Sequence, residues 1–190
     1  MESGILAFTS LHEYIRMHPE IPHKDEPTFN GFRELYLQLV KHIKDIPGWY
    51  AWIRVDKNNT SIVYIGQSQS RKTSSLLARI TEEFLDEFVA LWATIHDPET
   101  VVATLDRKYR GKYTAPIKRA ARKAGATHLI WFGQRGLSDL QLNAVEYALI
   151  HSFNPPANRQ SRSSSNEFPE LVREAEGVLN HNLSLVRVAG

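Results

Sequence analysis

Glu146 sits inside an apolar stripe. At about 100° per residue, Leu142, Val145, Leu149, Ile150 and Phe153 share its face of a helix expected from a Ser138 cap through Phe153 to the Pro155-Pro156 stop. A carboxylate placed there needs a metal ion, a cation or dense hydrogen bonding, because an uncompensated buried charge costs several kcal/mol. The plain alternatives are an internal Arg or Lys partner, or a stripe wider and wetter than the pattern implies. Tyr50 and Tyr64 stand fourteen residues apart in Gly48-Trp49-Tyr50 and Tyr64-Ile65-Gly66. A strand tyrosine ordinarily contributes area and one hydrogen bond, so either alone is a weak signal. Arg79 lies off the apolar stripe of its own helix, beside Glu82, Glu83 and Asp86, where a surface ion pair with Glu83 at i+4 is the ordinary reading. Asn158, twelve residues after Glu146, follows Pro155-Pro156-Ala157 and is an ordinary turn residue.

The elements that must position these groups are legible in outline. Residues 48–55 and 61–65 are rich in aromatic and β-branched side chains, and Asp56-Lys57-Asn58-Asn59 is a turn signal, so the two segments predict a hairpin. With residues 56–60 as the loop, Val55 pairs with Ser61 and Trp52 with Tyr64. Tyr50 then lies one diagonal step away on the same face, and a slip of one residue would separate the tyrosines. Leu77, Ile80, Phe84, Phe88, Leu91 and Ile95 predict one long helix from Ser75 to Ile95. Residues 127–133 predict a third strand. Ahead of the hairpin, Ser10 and Asn30 are candidate caps for two helices, the second carrying Phe32, Leu35, Leu39, Val40 and Ile43.

The expected fold class is therefore α+β: a small three-stranded, mainly antiparallel sheet flanked by helices, with helical extensions at both ends. The division is a helical extension over 1–46, a core over 47–160 with a basic insertion at about 100–124, and a tail over 161–190 that belongs to the same domain or serves specificity or dimerisation. Gln160 to Ser165 reads as a loop.

The 190 residues suffice for one domain, and 42% apolar with 23% charged residues is ordinary for a globular chain. No stretch reaches membrane-spanning length, and the amino end lacks a secretory pattern, so a cytoplasmic protein without membrane contact is expected. The absence of cysteine excludes disulfides, thiol chemistry and thiolate zinc sites. The net charge of +2 conceals a concentration: Arg107, Lys108, Arg110, Lys112, Lys118, Arg119, Arg122 and Lys123 fall in seventeen residues with no acidic one. This run suits a phosphate-binding surface giving salt-sensitive affinity, with a helix over Ala115 to Ala124 able to enter a groove; a solvated basic face is the alternative.

Taken together, a Gly-x-Tyr strand, a Tyr-Ile-Gly strand, an arginine early in the next helix, a glutamate in a later amphipathic helix and an asparagine after a proline-marked helix end resemble the GIY-YIG nuclease superfamily across Gly48 to Asn158. The resemblance implies catalytic roles for Tyr50, Tyr64, Arg79, Glu146 and Asn158. Glu146 would bind one divalent cation per site, Mg²⁺ or Mn²⁺. Tyr50 would be the general base or orient the attacking water, with the cation and Arg79 easing loss of a phenolic proton whose usual pKa is about 10. Tyr64 would place water and phosphate, Arg79 would neutralise phosphate charge, and Asn158 would brace the site near the metal and the Tyr-Ile-Gly strand. The products would be a 5′-phosphate and a 3′-hydroxyl.

Two departures stand out. Many relatives carry a histidine or tyrosine one turn after the arginine, whereas this chain has Glu83 and offers neither residue type between Tyr64 and His96; Glu83 is an additional candidate, as a second carboxylate near the metal. Relatives often have lysine where this chain has Gln67, which leaves a phosphate contact to Arg71 or Lys72. Gln67, Arg71, Lys72, Arg159 and the eight cations of the basic run form the expected DNA-binding set. The function implied is metal-dependent, site-specific cleavage of double-stranded DNA of the restriction or defence type, for which a homodimer on DNA is one arrangement able to cut both strands. A repair or recombination nuclease, or a DNA-binding protein with this fold and little or no cleavage, are the alternatives.

Overall fold

The computed structural model describes residues 1–20, 26–57, 59–69, 74–86, 88–97, 99–101, 103, 123–158 and 167–189. Along the chain run β1 (Glu2–Ala7), α1 (Thr9–Met17), α2 (Pro27–Val40), β2 (Gly48–Asp56), β3 (Asn59–Gln67), α3 (Leu76–Asp86), α4 (Val89–Ile95), β4 (His128–Gly133), α5 (Asp139–Phe153) and α6 (Pro169–Ala189). The strands form one open antiparallel sheet in the order β1-β4-β2-β3. It has four strands rather than the three expected. The additional one, β1, opens a region whose sequence predicts helices alone. Its half-polar sequence ESGILA carries no alternating pattern, and its identity comes from pairing along β4, with Gly4 opposite Trp131.

Alternation along the central strands divides the protein into two cores. Leu6, Tyr50, Trp52, Tyr64, Leu129 and Trp131 belong to the face covered by α1 to α4. Trp49, Ala51, Ile53, Ile65, Ile130 and Phe132 belong to the opposite face, covered by α5 and α6. The first 46 residues thus share a core with the central hairpin, and most of the expected tail is a 21-residue helix on the second core.

The hairpin turn is tighter than expected. Asp56 pairs with Asn59, Val55 with Thr60 and Arg54 with Ser61, so the predicted pairing of Val55 with Ser61 is displaced by one residue. A β-bulge then inserts Val63 between the pairings Ile53↔Ile62 and Trp52↔Tyr64. The extra residue offsets the tighter turn, and Trp52 lies opposite Tyr64 as expected.

Other boundaries are corrected by packing and backbone chemistry. The single helix over 75–95 is two helices: α3 buries one stripe, including Leu76, Ile80 and Phe84, whereas α4 buries five consecutive residues, Val89 to Ala93, on every side. One straight amphipathic rod cannot do both. Neither proposed amino-terminal cap operates: α1 starts at Thr9 with no side-chain cap, and Pro27, whose ring presets φ, opens α2 with Asn30 inside it. Ser138 does cap α5, accepting from the Gln141 amide while the Gln141 side chain accepts from the Ser138 amide.

Candidate active site

The hairpin brings the two tyrosines onto one face. Their ring centroids are 6.2 Å apart; Tyr50 is buried and Tyr64 half-buried. Gly66 pairs with Tyr50 across the ladder, and a Cβ there would lie 2.5 Å from both Cζ and the hydroxyl oxygen of Tyr50. Gly48 pairs with Gly133, and a Cβ on it would meet the Gly133 Cα at 2.6 Å. Both glycines of the motifs therefore stand where chains and rings pass too closely for any other side chain.

α3 supplies the groups above Tyr50. Arg79 Nη1 donates to Glu82 Oε2 at 2.7 Å, and Nη2 donates to Glu83 Oε1. The expected i+4 pair is present, but it is not at the surface: Glu83 is 2% exposed, and its other oxygen accepts from Lys123 Nζ. Lys123 is itself 3% exposed, with Nζ 3.9 Å above the Tyr64 ring centroid and 5.1 Å from that of Trp52. Lys123, expected from the sequence to touch phosphate, is thus an internal counter-ion. Its place at the end of a basic run gives no sign of this, because its partner lies forty residues earlier.

The electrostatics follow from that enclosure. Burial alone would raise the Glu83 carboxyl, but Lys123 and Arg79, with hydrogen bonds from Lys123 and Tyr50, hold it below its usual value. Burial pushes the Tyr50 hydroxyl well above 10, the Glu83 charge and Tyr64 push it the same way, and a hydrogen bond and positive charge from Arg79 do not offset them. Burial works against the Arg79 charge, yet Tyr50 and Glu83 keep its pKa raised. Tyr50 is consequently a neutral phenol near pH 7. The expected easing of its ionisation by Arg79 is outweighed by burial and Glu83.

A second group of residues meets along β3 from the other face. Glu146, half-buried on α5, accepts from Gln67 Nε2 at 3.3 Å, and the same nitrogen donates to Asn143 Oδ1 at 2.8 Å. Leu142, Val145 and Leu149 point into the core, so Glu146 occupies the margin of the stripe rather than its centre. Gln67 Oε1 is buried without a hydrogen-bond partner. The Glu146 carboxylate and Asn143 Oδ1, both facing the Gln67 amide nitrogen, are oxygen donors of the kind a hard divalent cation takes. Among the described residues no group of three or more His, Cys, Asp or Glu could hold a metal.

Asn158 closes the free edge of β3. Its Oδ1 accepts from the Ile65 amide at 2.9 Å, its Nδ2 donates to the Ile65 carbonyl at 2.8 Å, and the Ala157 amide donates to the Val63 carbonyl at 3.0 Å. The side-chain amide stands in for one residue of a neighbouring strand, holding the Tyr-Ile-Gly backbone from outside the sheet.

Tyr50, Tyr64, Arg79 and Glu83 therefore gather on one face, and Gln67, Glu146 and Asn158 gather at the other side and edge of β3. Arg71, Lys72, Arg107, Lys108, Arg110, Lys112, Lys118, Arg119, Arg122 and Arg159 lie outside the described residues, as does most of the helix expected over Ala115 to Ala124. Lys123 and Asn143 are the site residues that sequence reasoning missed in these roles. Asn143, at i−3 from Glu146, carried a signal in its helical spacing; Lys123 carried none. No helix among the described residues is long and apolar enough to cross a membrane. No family model, curated protein or solved structure compared with the chain matches it.

Proposed function

We propose that the protein is a metal-dependent DNA endonuclease of the GIY-YIG type, cutting double-stranded DNA at specific sites. The observation that carries this reading is the meeting of Tyr50, Tyr64 and Arg79 on one face of the hairpin, with Asn158 hydrogen-bonded to both backbone groups of Ile65 at its edge and Glu146 hydrogen-bonded to Gln67 on the other side of β3. Five motif positions distant in sequence are thereby linked through β3.

Glu146 would hold one Mg²⁺ or Mn²⁺, with Asn143 beside it, and the bound ion would supply Lewis-acid polarisation of the phosphate. The rest is work for the chain's own groups. Arg79 has a rigid planar fork suited to phosphate oxygens, and exchanging a carboxylate partner for the phosphate would deliver its charge where charge develops. Tyr50, a neutral phenol, would receive a hydrogen bond from the attacking water. Tyr64, less buried, would contact water and phosphate alongside it. Asn158 would keep β3 fixed while those contacts form.

A DNA-binding protein with little or no cleavage is the second reading, favoured by Glu82 and Glu83 already engaging Arg79 and by Tyr50 being held far from ionisation. Supercoiled plasmid incubated with Mg²⁺ or Mn²⁺ separates the two. Nicked or linear product from the wild type and none from Glu146→Ala is expected; intact plasmid from both, with DNA still bound, would replace the nuclease reading by the second. End sequencing of the products then distinguishes a fixed recognition site from the structure-dependent cutting of a repair or recombination enzyme.

A further inference from the structure

Both terminal nitrogens of Arg79 are engaged by carboxylates of its own helix, yet the two partners are not alike. Glu83 is enclosed, and Lys123, equally enclosed, holds its second oxygen. Releasing Glu83 from this cluster would leave buried charges poorly compensated, which is costly. Glu82 differs on each count. Its side chain is 22% exposed, its Oε2 accepts from Arg79 Nη1 at 2.7 Å, and Arg79 is its one ion-pair partner among the described residues. Solvent can take over both charges of such a pair, so separating them costs little.

An i,i+3 pair of this exposure adds equally little to the helix, so stability does not account for Glu82 at this position. Its location does. The Arg79 side chain is 23% exposed, and because Glu83 is sealed while Glu82 is not, the solvent approach to the guanidinium lies on the Glu82 side. A phosphodiester presents what a carboxylate presents, one negative charge shared between two oxygens that a guanidinium can accept as a pair. An anion arriving from solvent therefore meets Glu82 first.

We propose, resting on the reading of Arg79 as a phosphate contact, that Glu82 is a phosphate surrogate: in the free protein its carboxylate takes the place on Arg79 that a DNA phosphodiester occupies in the complex. DNA binding exchanges one anion for the other. Glu83 and Lys123 remain paired through the exchange and keep the guanidinium in place. Only hydrogen bonds and ion pairs change, and the charge of Arg79 is balanced before and after. Glu82 thereby lowers the affinity of the site for DNA, and it keeps Arg79 from other anions until a phosphate held by further contacts displaces it.

Binding of labelled plasmid fragments in EDTA, measured over a salt series, tests this. Glu82→Gln keeps the size of the side chain and removes the competing charge. It should tighten binding about two- to fivefold, the worth of an exposed ion pair. The slope of log K against log salt should steepen by up to about 0.9, because the phosphate on Arg79 no longer displaces another anion. The gain must run through Arg79, so in an Arg79→Gln background the same substitution should change neither quantity. Unchanged affinity and slope in Glu82→Gln would overturn the proposal. An equal gain in the Arg79→Gln background would also overturn it, by showing general repulsion between Glu82 and DNA. Thermal melts identify the variants that fold. Should Arg79→Gln not fold, inorganic phosphate gives the second readout: it should compete with DNA at lower concentration for Glu82→Gln than for the wild type, and equal competition would overturn the proposal. If the wild type leaves plasmid intact with Mg²⁺ and Mn²⁺ while Glu82→Gln still tightens binding, the nuclease reading falls and the exchange stands.

Discussion

The ring of Tyr50 lies directly across the ladder from Gly66, close enough that no Cβ fits between them. The glycine of the second motif therefore exists for the tyrosine of the first. Gly66→Ala should destabilise the fold by about 1 to 3 kcal/mol, the usual range for overpacking, because neither the ladder nor the buried ring can yield freely. Urea unfolding measures this, and a variant of unchanged stability would show that the ring has room to move. Displacement of the Tyr50 ring should lower cleavage further than the stability loss explains.

Asn158 replaces a strand for one residue, so its substitutions should act on the β3 edge. Asn158→Ala strips partners from both the Ile65 amide and carbonyl, at a cost of about 1 to 3 kcal/mol. Asn158→Asp keeps the acceptor but turns a carboxylate toward the Ile65 carbonyl, and should be no better. Hydrogen exchange at the Ile65 amide gives the local readout: faster exchange is expected in both variants, and unchanged protection would mean that the edge does not depend on this side chain.

His12 makes stability depend on pH. Burial, then the charges of Arg16 and His128, lower its pKa from 6.5 to about 4, partly opposed by a backbone hydrogen bond to Ala126. A folded-state value below the unfolded one means that protons favour the unfolded chain. The contribution is complete above pH 6.5 and is lost progressively as pH falls toward 4. Glu83 adds a second loss at lower pH, because its folded value is depressed below 4.5: its contribution is present above 4.5 and disappears as pH falls through the folded value. Denaturant midpoints measured against pH should decline below 6.5, and His12→Gln should flatten the first part of that decline. An unaltered profile in that variant would exclude His12 as its origin.

The basic run should be probed without Lys123. Lys118→Ala, Arg119→Ala and Arg122→Ala together should weaken DNA binding and reduce the slope of log K against log salt by about 0.9 for each phosphate left without its cation. Lys123→Ala should leave that slope unchanged while destabilising the fold by about 3 to 5 kcal/mol, since it strands a buried carboxylate. Filter binding over a salt series distinguishes them; a slope change in Lys123→Ala would contradict its enclosure.

What can be read from the sequence follows from the range of the interactions involved. The hairpin, the capping box at Ser138 and the helix to Phe153 rest on local chemistry and are legible. The pairing of Trp52 with Tyr64 is also legible, although its derivation assumes a longer turn; the bulge at Val63 supplies the missing residue. β1 is hidden because an edge strand takes its identity from the strand it joins, and β4 lies far along the chain. The break before Val89 is hidden because a 3.6-residue period continues through Leu91 and Ile95 regardless of whether the helix bends away. Within the site, Arg79 with Glu83 is readable as a spacing, whereas its burial beneath Lys123 is not. No local pattern in the basic run marks Lys123 as a cation that turns inward.

The order in which the two cores are completed bears on how this chain leaves the ribosome. All four strands have been made by Gly133, and the first core can close then around Tyr50, Trp52 and Phe84. The second face, with Trp49, Ile53, Ile130 and Phe132, waits for Ala175, Leu179, Leu183 and Val186 of α6. A nascent chain halted before that helix would have its second face covered by α5 alone, leaving part of an apolar surface exposed of the kind that recruits chaperones or sticks to its copies. Helix α6 therefore completes the second core from a part of the chain that follows the residues of both site clusters.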